Sequence, residues 1–293
     1  MGNSSRFFLS FLLILSSGIL VSQIKSVKVN GAELHYTDQG KGETVLFVHG
    51  TQEDYRVFSF YTDSLAKDFR VITYSRRYNY PNTNAYTKGD EFSARSEAKD
   101  LADFVKALGL GRVHLVGHSF GGIIAMQFAS DHPEMLRSLV LSEPALVSWV
   151  PGIPGCEGEA DAVQQELIED TKAAFEAGND EQALDELIEF FWGADFEGEI
   201  PPEIILALEQ NLPEVKALAY SEDPFTVQSP DNSGFPLLIL TAGNTMPMLR
   251  CTNKKLLEKY AEAKNHHLLH ATHDLWATEA EVLLPLLAGF WKG

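Results

Sequence analysis

The run Val113-His114-Leu115-Val116 leads into Gly117-His118-Ser119-Phe120-Gly121-Gly122 and then into small and apolar residues. The pattern G-x-S-x-G between a strand and a helix carries chemistry: glycines at 117 and 121 let the backbone turn sharply, and the turn pushes the Ser119 hydroxyl out of the sheet. Ser119 also stands at a helix N-terminus, where the backbone dipole favours developing negative charge. A serine hydroxyl becomes a nucleophile only beside a base, and the base needs an orienting carboxylate. Four of the nine histidines, His266, His267, His270 and His273, crowd one short segment. They lack His-Glu-x-x-His spacing and sit in a strand-like stretch, so no metal site and no cofactor is expected. Cys156 and Cys251 cannot make a disulfide framework or a Cys-based zinc site, while one bridge or two free thiols are both open.

The elements that must position Ser119 alternate along the chain. Ile24 to Val29 and Ala32 to Asp38 read as a hairpin, because Asn30-Gly31 suits a two-residue turn with positive φ. Thr44 to Val48 is a continuous apolar run ending in His49-Gly50, as expected for a strand buried on both faces of a parallel sheet. Strand character recurs at Phe69 to Tyr74, Arg112 to Gly117, Ser138 to Ser142, Leu237 to Thr241 and near His267 to His270. Helical periodicity covers Phe92 to Leu108, Phe120 to Ser130, Lys254 to Ala263 and Thr278 to Trp291. Alternation of this kind predicts an α/β fold, a mostly parallel central sheet with helices on both faces. Between Val147 and Phe235 it stops, and amphipathic acidic helices broken by prolines take over, so residues 147–234 read as a helical insertion on a core of 23–146 and 235–293.

Charge follows the same division. The chain of 293 residues carries a net charge of −18, and residues 151–230 hold 20 Asp/Glu against only Lys172 and Lys216. Solubility of exposed helices accounts for such an excess; a field repelling anionic substrates is the alternative. An acidic balance excludes non-specific nucleic-acid binding, which needs Lys/Arg on phosphates. At the N-terminus, Arg6 precedes Phe7 to Leu15 and then small residues, the layout of a signal peptide over residues 1–22. The apolar run is too short for a stable membrane span. Export, to the periplasm or outside the cell, is the expectation, with an uncleaved membrane anchor as the alternative.

These motifs together resemble the α/β-hydrolase fold superfamily, in a serine-nucleophile form with a helical cap. His49-Gly50 resembles the oxyanion loop, 117–121 the nucleophile elbow, and the acidic insertion the cap placed after the sixth strand. The resemblance implies Ser119 as nucleophile and His273, in the loop after the last strand, as its base. It implies an oxyanion hole from the backbone N–H groups of Phe120 and Thr51, with Gln52 as a fallback. The acid departs from the usual pattern: Met246 stands where an Asp is expected after the seventh strand. Some relatives carry the acid after the sixth strand, where this chain has Glu143. Arg76 and Arg77, after another strand near the site in this fold, are expected to make structural ion pairs, with binding of a substrate carboxylate as the alternative. The expected activity is hydrolysis of a small ester, thioester or lactone through an acyl-enzyme. Carbon–carbon cleavage or other non-hydrolytic chemistry, and ligand binding without turnover, are the alternatives. Serine disfavours epoxide hydrolase chemistry, which on this fold uses Asp.

Overall fold

The computed structural model describes residues 23–193, 198–231 and 234–293; the expected leader lies outside them. Eight strands form one sheet: β1 (Lys25–Val29), β2 (Ala32–Gly40), β3 (Thr44–Val48), β4 (Arg70–Tyr74), β5 (Val113–His118), β6 (Leu136–Ser142), β7 (Leu237–Ala242) and β8 (Lys264–Leu268). Their order is β1-β2-β4-β3-β5-β6-β7-β8, antiparallel at β1/β2 and β2/β4 and parallel elsewhere. The hairpin turns through Asn30 and Gly31, both at positive φ.

Every residue of β3 and β5 is buried, as apolar runs at the centre of a parallel sheet require. Side chains alternate between faces with period two. Leu46 and Val48 therefore join the core beneath helices α2 (Ala94–Ala107) and α3 (Phe120–Asp131), while Val45 and Phe47 join that beneath α1 (Ser59–Leu65) and α11 (Ala280–Lys292). Each fully buried side chain of this size is worth about 1.5–3 kcal/mol over leaving it exposed.

Between β6 and β7 lies the helical insertion. It comprises α4 (Glu159–Ala162), a π-helical stretch (Val163–Asp170), α5 (Thr171–Glu176), α6 (Asp180–Trp192), α7 (Pro202–Gln210) and α8 (Leu212–Ala219). Most of its described carboxylates face solvent, but Glu214 is wholly buried. Cys156 and Cys251 are bridged, tying the start of the insertion to α9 (Pro247–Lys259) with Cα atoms 6.2 Å apart.

Two elements differ from their expected bounds by more than two residues. α9 begins at Pro247 rather than near Lys254, because Pro occupies the first helical turn, where its missing N–H costs nothing. β8 ends at Leu268, where the Ala271 N–H closes a turn onto the Leu268 carbonyl, so His270 lies past the strand. Helices α1 and α10 (Leu275–Thr278) were not anticipated.

Candidate active site

Ser119 occupies the turn between β5 and α3 at φ 52°, ψ −119°, a conformation L-residues rarely adopt. Its neighbours enforce it. A Cβ on Gly121 would collide with the carbonyl oxygens of Val48 and His49, so only glycine lets α3 start this close to the end of β3. The Ser119 N–H donates to the Ser142 carbonyl at 3.0 Å, and its own carbonyl accepts from Gly122 and Ala145. Strain held this way from several sides marks a functional turn.

Glu143 extends from the end of β6, wholly buried and itself at φ 47°. Its Oε1 accepts from the Ala242 N–H at 2.8 Å and from Asn253 Nδ2 at 2.6 Å. Its Oε2 accepts from the Thr245 hydroxyl and lies 3.3 Å from His273 Nδ1. A carboxylate so supplied with donors keeps its orientation. Burial works against the charged form of His273, yet the Glu143 hydrogen bond and charge, with Asp274 and Glu53 adding to them, hold its pKa above the ordinary value. With Nδ1 directed at Glu143, Nε2 is left for other work. Ser119 and His273 line one cavity. No hydrogen bond joins their side chains among the described residues, and such bonds in unliganded sites often tighten only with substrate.

The loop 49–53 forms the facing wall. His49 is buried and neutral: burial, then the Arg76 charge, drive its pKa well below the ordinary range. Its Nε2 accepts from the Arg76 N–H at 3.0 Å, so Nδ1 carries the proton and donates to the Gly50 carbonyl at 2.9 Å. The Gly50 N–H donates to Glu53 Oε2 at 2.6 Å, and the Gln52 N–H to Glu214 Oε2 at 3.1 Å. The Gln52 N–H is therefore taken. Thr51 lines the cavity, and among the described residues neither its N–H nor that of Phe120 has a protein acceptor.

Arg76 is not where a substrate-binding role would put it. It is completely buried, does not line the cavity, and donates to the Gly50 carbonyl at 2.9 Å and to Glu214 at 3.0 Å, with Glu97 at 3.7 Å. A guanidinium taken from water needs carboxylate partners, and here they come from α8 and α2. Arg77 likewise pairs with Asp100.

The cavity of about 330 Å³ is roofed by Phe191, Trp192, Ile204, Ala207 and Leu208 of the insertion, which is thus a cap over Ser119. Its lining includes the acidic residues Glu53, Asp54, Glu203 and Asp274, and the Arg56 guanidinium is engaged by Asp54 at 2.6 and 2.8 Å.

A family described as alpha/beta hydrolase fold matches residues 43–242, more than half of the chain and inclusive of the elbow. The chain belongs to the α/β-hydrolase fold family. Epoxide hydrolase 1 of Caenorhabditis elegans is 29% identical over 117 residues, 39% of this chain and 28% of that protein. The chain spans less than half the length of the curated relatives it matches. Among solved structures, an epoxide hydrolase from Bacillus megaterium in complex with its product superposes with a TM-score of 0.71 at 16% identity, covering 92% of this chain and 100% of that one. A thermophilic esterase from Thermogutta terrifontis gives 0.67 at 21% identity, covering 92% and 98%. At these identities the likeness is one of fold.

In this α/β-hydrolase fold, Thr245, Asn253 and Glu53 are site residues with no recognisable signal in the sequence. Met246, in the usual acid slot, lines the cavity, while its neighbour Thr245 and the buried Asn253 of α9 hold Glu143 instead. His118 packs its ring 4.7 Å from that of His273 and keeps Nδ1 3.4 Å from Ser142 Oγ, which also accepts from Trp276 Nε1 at 3.1 Å. Burial and then the His273 charge keep His118 neutral. Glu53 sits beside it, Oε1 3.7 Å from His118 Nε2, and burial pushes its pKa up to about 7.

Proposed function

We propose that this protein is a serine hydrolase of small, uncharged esters, thioesters or lactones, working through an acyl-enzyme. The observation that carries the reading is Ser119 at the strained elbow, on the same cavity as a histidine whose Nδ1 is 3.3 Å from a buried carboxylate. In the reaction the Ser119 oxygen attacks the carbonyl carbon while its proton passes to His273 Nε2. Glu143 stabilises the resulting imidazolium. The carbonyl oxygen, now negative, takes hydrogen bonds from the Thr51 and Phe120 N–H groups, each donor worth about 3–4 kcal/mol in such sites. The tetrahedral adduct collapses as His273 returns the proton to the leaving alcohol, thiol or ring oxygen. Water then repeats the sequence on the acyl-enzyme and frees Ser119.

Serine also decides against epoxide opening. The aspartate of epoxide hydrolases forms an ester that water can cleave. A serine oxygen attacking an epoxide would leave an ether, with no carbonyl for water to attack.

Apolar residues of the cap suit an alkyl or aryl group, and the carboxyl-rich wall disfavours an anionic one. The bridge between Cys156 and Cys251 supports the exported location, since disulfides persist in oxidising compartments.

The test is a fluorophosphonate probe followed by peptide mapping, alongside a screen of ester, thioester and lactone substrates. Labelling at Ser119, abolished in Ser119→Ala together with turnover, is the expected result. Turnover that survives Ser119→Ala would overturn the reading.

A further inference from the structure

Within the proposed hydrolytic site, the Thr51 N–H is one of two backbone donors, and its direction is not set by Thr51 itself. A peptide unit is planar and trans, so the Gly50 carbonyl and the Thr51 N–H point in opposite directions from one rigid plate. Whatever holds that carbonyl therefore aims that N–H. Two donors hold it: His49 Nδ1 at 2.9 Å and Arg76 Nη2, also at 2.9 Å. Neither donor lines the cavity, whereas Gly50 and Thr51 do, so the opposite, N–H side of the plate is the one directed to the cavity. A cationic donor on the carbonyl also polarises the amide and strengthens its N–H as a donor.

Arg76 is held in turn by the cap. Glu214 Oε1 accepts from Arg76 Nη2 at 3.0 Å, and its Oε2 accepts from the Gln52 N–H at 3.1 Å. One carboxylate on α8 thus grips the arginine behind residue 50 and the backbone at residue 52, on both sides of Thr51. Glu214 and Arg76 are each fully buried, so this geometry has little freedom to relax into water. Asn211, at the start of α8, adds a second tie through its Nδ2 donating to Asp54 Oδ2 at 2.9 Å.

We infer that Glu214 of the cap, acting through Arg76, is a positioning residue that aims and polarises the Thr51 N–H at the oxyanion. Neither residue touches substrate. The cap then does more than enclose the cavity: seating α8 against the loop completes the oxyanion hole. A cap displaced from the core leaves Ser119, His273 and Glu143 in place but the Thr51 donor unaimed.

The test reads transition-state binding separately from substrate binding. Glu214→Gln retains an acceptor for the Gln52 N–H but removes the charge that holds Arg76, and Arg76→Lys retains the charge but loses the planar guanidinium whose Nη2 bridges the Gly50 carbonyl and Glu214. Loss of a whole oxyanion donor lowers turnover about 10²–10³-fold in related sites. Misaiming one is expected to lower kcat about tenfold or more, with KM little changed. The inhibition constant of a boronic acid that forms a tetrahedral adduct should rise in parallel, while the melting temperature shows whether the variant remains folded. A fall confined to stability or KM would overturn the inference.

A second measurement needs no variant. In a crystal structure of the wild-type phosphonate adduct, the phosphoryl oxygen should lie within hydrogen-bond distance of the Thr51 and Phe120 N–H groups, with Arg76 still on the Gly50 carbonyl. An adduct on Ser119 whose oxygen avoids Thr51 would overturn this inference alone. Failure to form any adduct would overturn the serine-hydrolase reading and this inference with it.

Discussion

Glu143 leaves the end of β6 and meets His273, 130 residues further along the chain, with Oε2 3.3 Å from Nδ1. The Glu143 carboxylate is already satisfied on its other side by Ala242 and Asn253. Replacing it by an amide therefore has a defined consequence. In Glu143→Gln the amide oxygen stays with those two donors, and the NH₂ group turns toward His273, favouring the tautomer with its proton on Nε2. That ring cannot accept the Ser119 proton. Turnover should fall by about 10⁴-fold, as in a related triad. Steady-state kinetics on the best ester check this, and a loss below tenfold would show that Glu143 does not orient the base. Adding Met246→Asp should recover part of the loss if the ends of β6 and β7 converge on one imidazole.

The pH profile follows from the charges around His273. Only the neutral ring is a base, so kcat/KM should rise with pH through an apparent pKa above the ordinary 6.5. Glu53, with a pKa of about 7, titrates in the same range, and its negative charge is one of those raising His273. The two ionisations are read as a pair. Glu53→Gln should shift the acid limb to lower pH and sharpen it to one ionisation. A limb that does not move would mean that Glu53 and His273 do not interact.

Stability carries a separate signature of Glu53. Its pKa rises from 4.5 to about 7 on folding. The folded chain thus binds more protons than the unfolded one between those values, and stability falls as pH rises from about 4.5 through 7. Glu53→Gln removes that loss. The variant should match wild type near pH 4.5 and exceed it at pH 8, by on the order of 3 kcal/mol. Urea midpoints at the two pH values measure it; a difference that is the same at both would remove the linkage.

The bridge between Cys156 and Cys251 closes a separation of 95 residues that includes helices α4 to α8 of the cap. Chain-entropy arguments give about 4.7 kcal/mol for a loop of about 100 residues, and loss of a native bridge typically costs about 2–5 kcal/mol. Reductant, or the Cys156→Ser/Cys251→Ser pair, should lower the melting temperature by roughly 5–15 °C. Iodoacetamide should modify neither cysteine before reduction, and free thiols in the native protein would refute the bridge.

Export is checked by N-terminal sequencing of the protein from its native host. The mature chain is expected to begin between Ser17 and Gln23. Soluble cytoplasmic protein that retains Met1 would contradict this.

Sequence by itself determined what local rules encode. The apolar runs at Thr44–Val48 and Val113–His118 became fully buried central strands because every side chain there tolerates burial. The elbow was legible at Gly117-His118-Ser119-Phe120-Gly121 because a sharp strand-to-helix turn admits few residue types. Glu143 came from the resemblance rather than from local rules: relatives carry the acid after the seventh strand or after the sixth, and this chain has a carboxylate only in the second slot. Tertiary structure decided the partners of charges. Arg76 reads from the sequence as an ion-pairing residue with substrate binding as the alternative, and the structure supplies the partner the sequence could not name: Glu214, 138 residues away. One exposed-looking carboxylate among the acidic residues of the cap thereby becomes the clamp on the oxyanion loop. The raised pKa of Glu53, the support of Glu143 by Thr245 and Asn253, and the bridge from Cys156 to Cys251 have the same origin. Periodicity and turn chemistry act over a few residues, so they are written in the sequence. Burial and ion pairing depend on which distant element arrives alongside, and only the packed cap and sheet settle that.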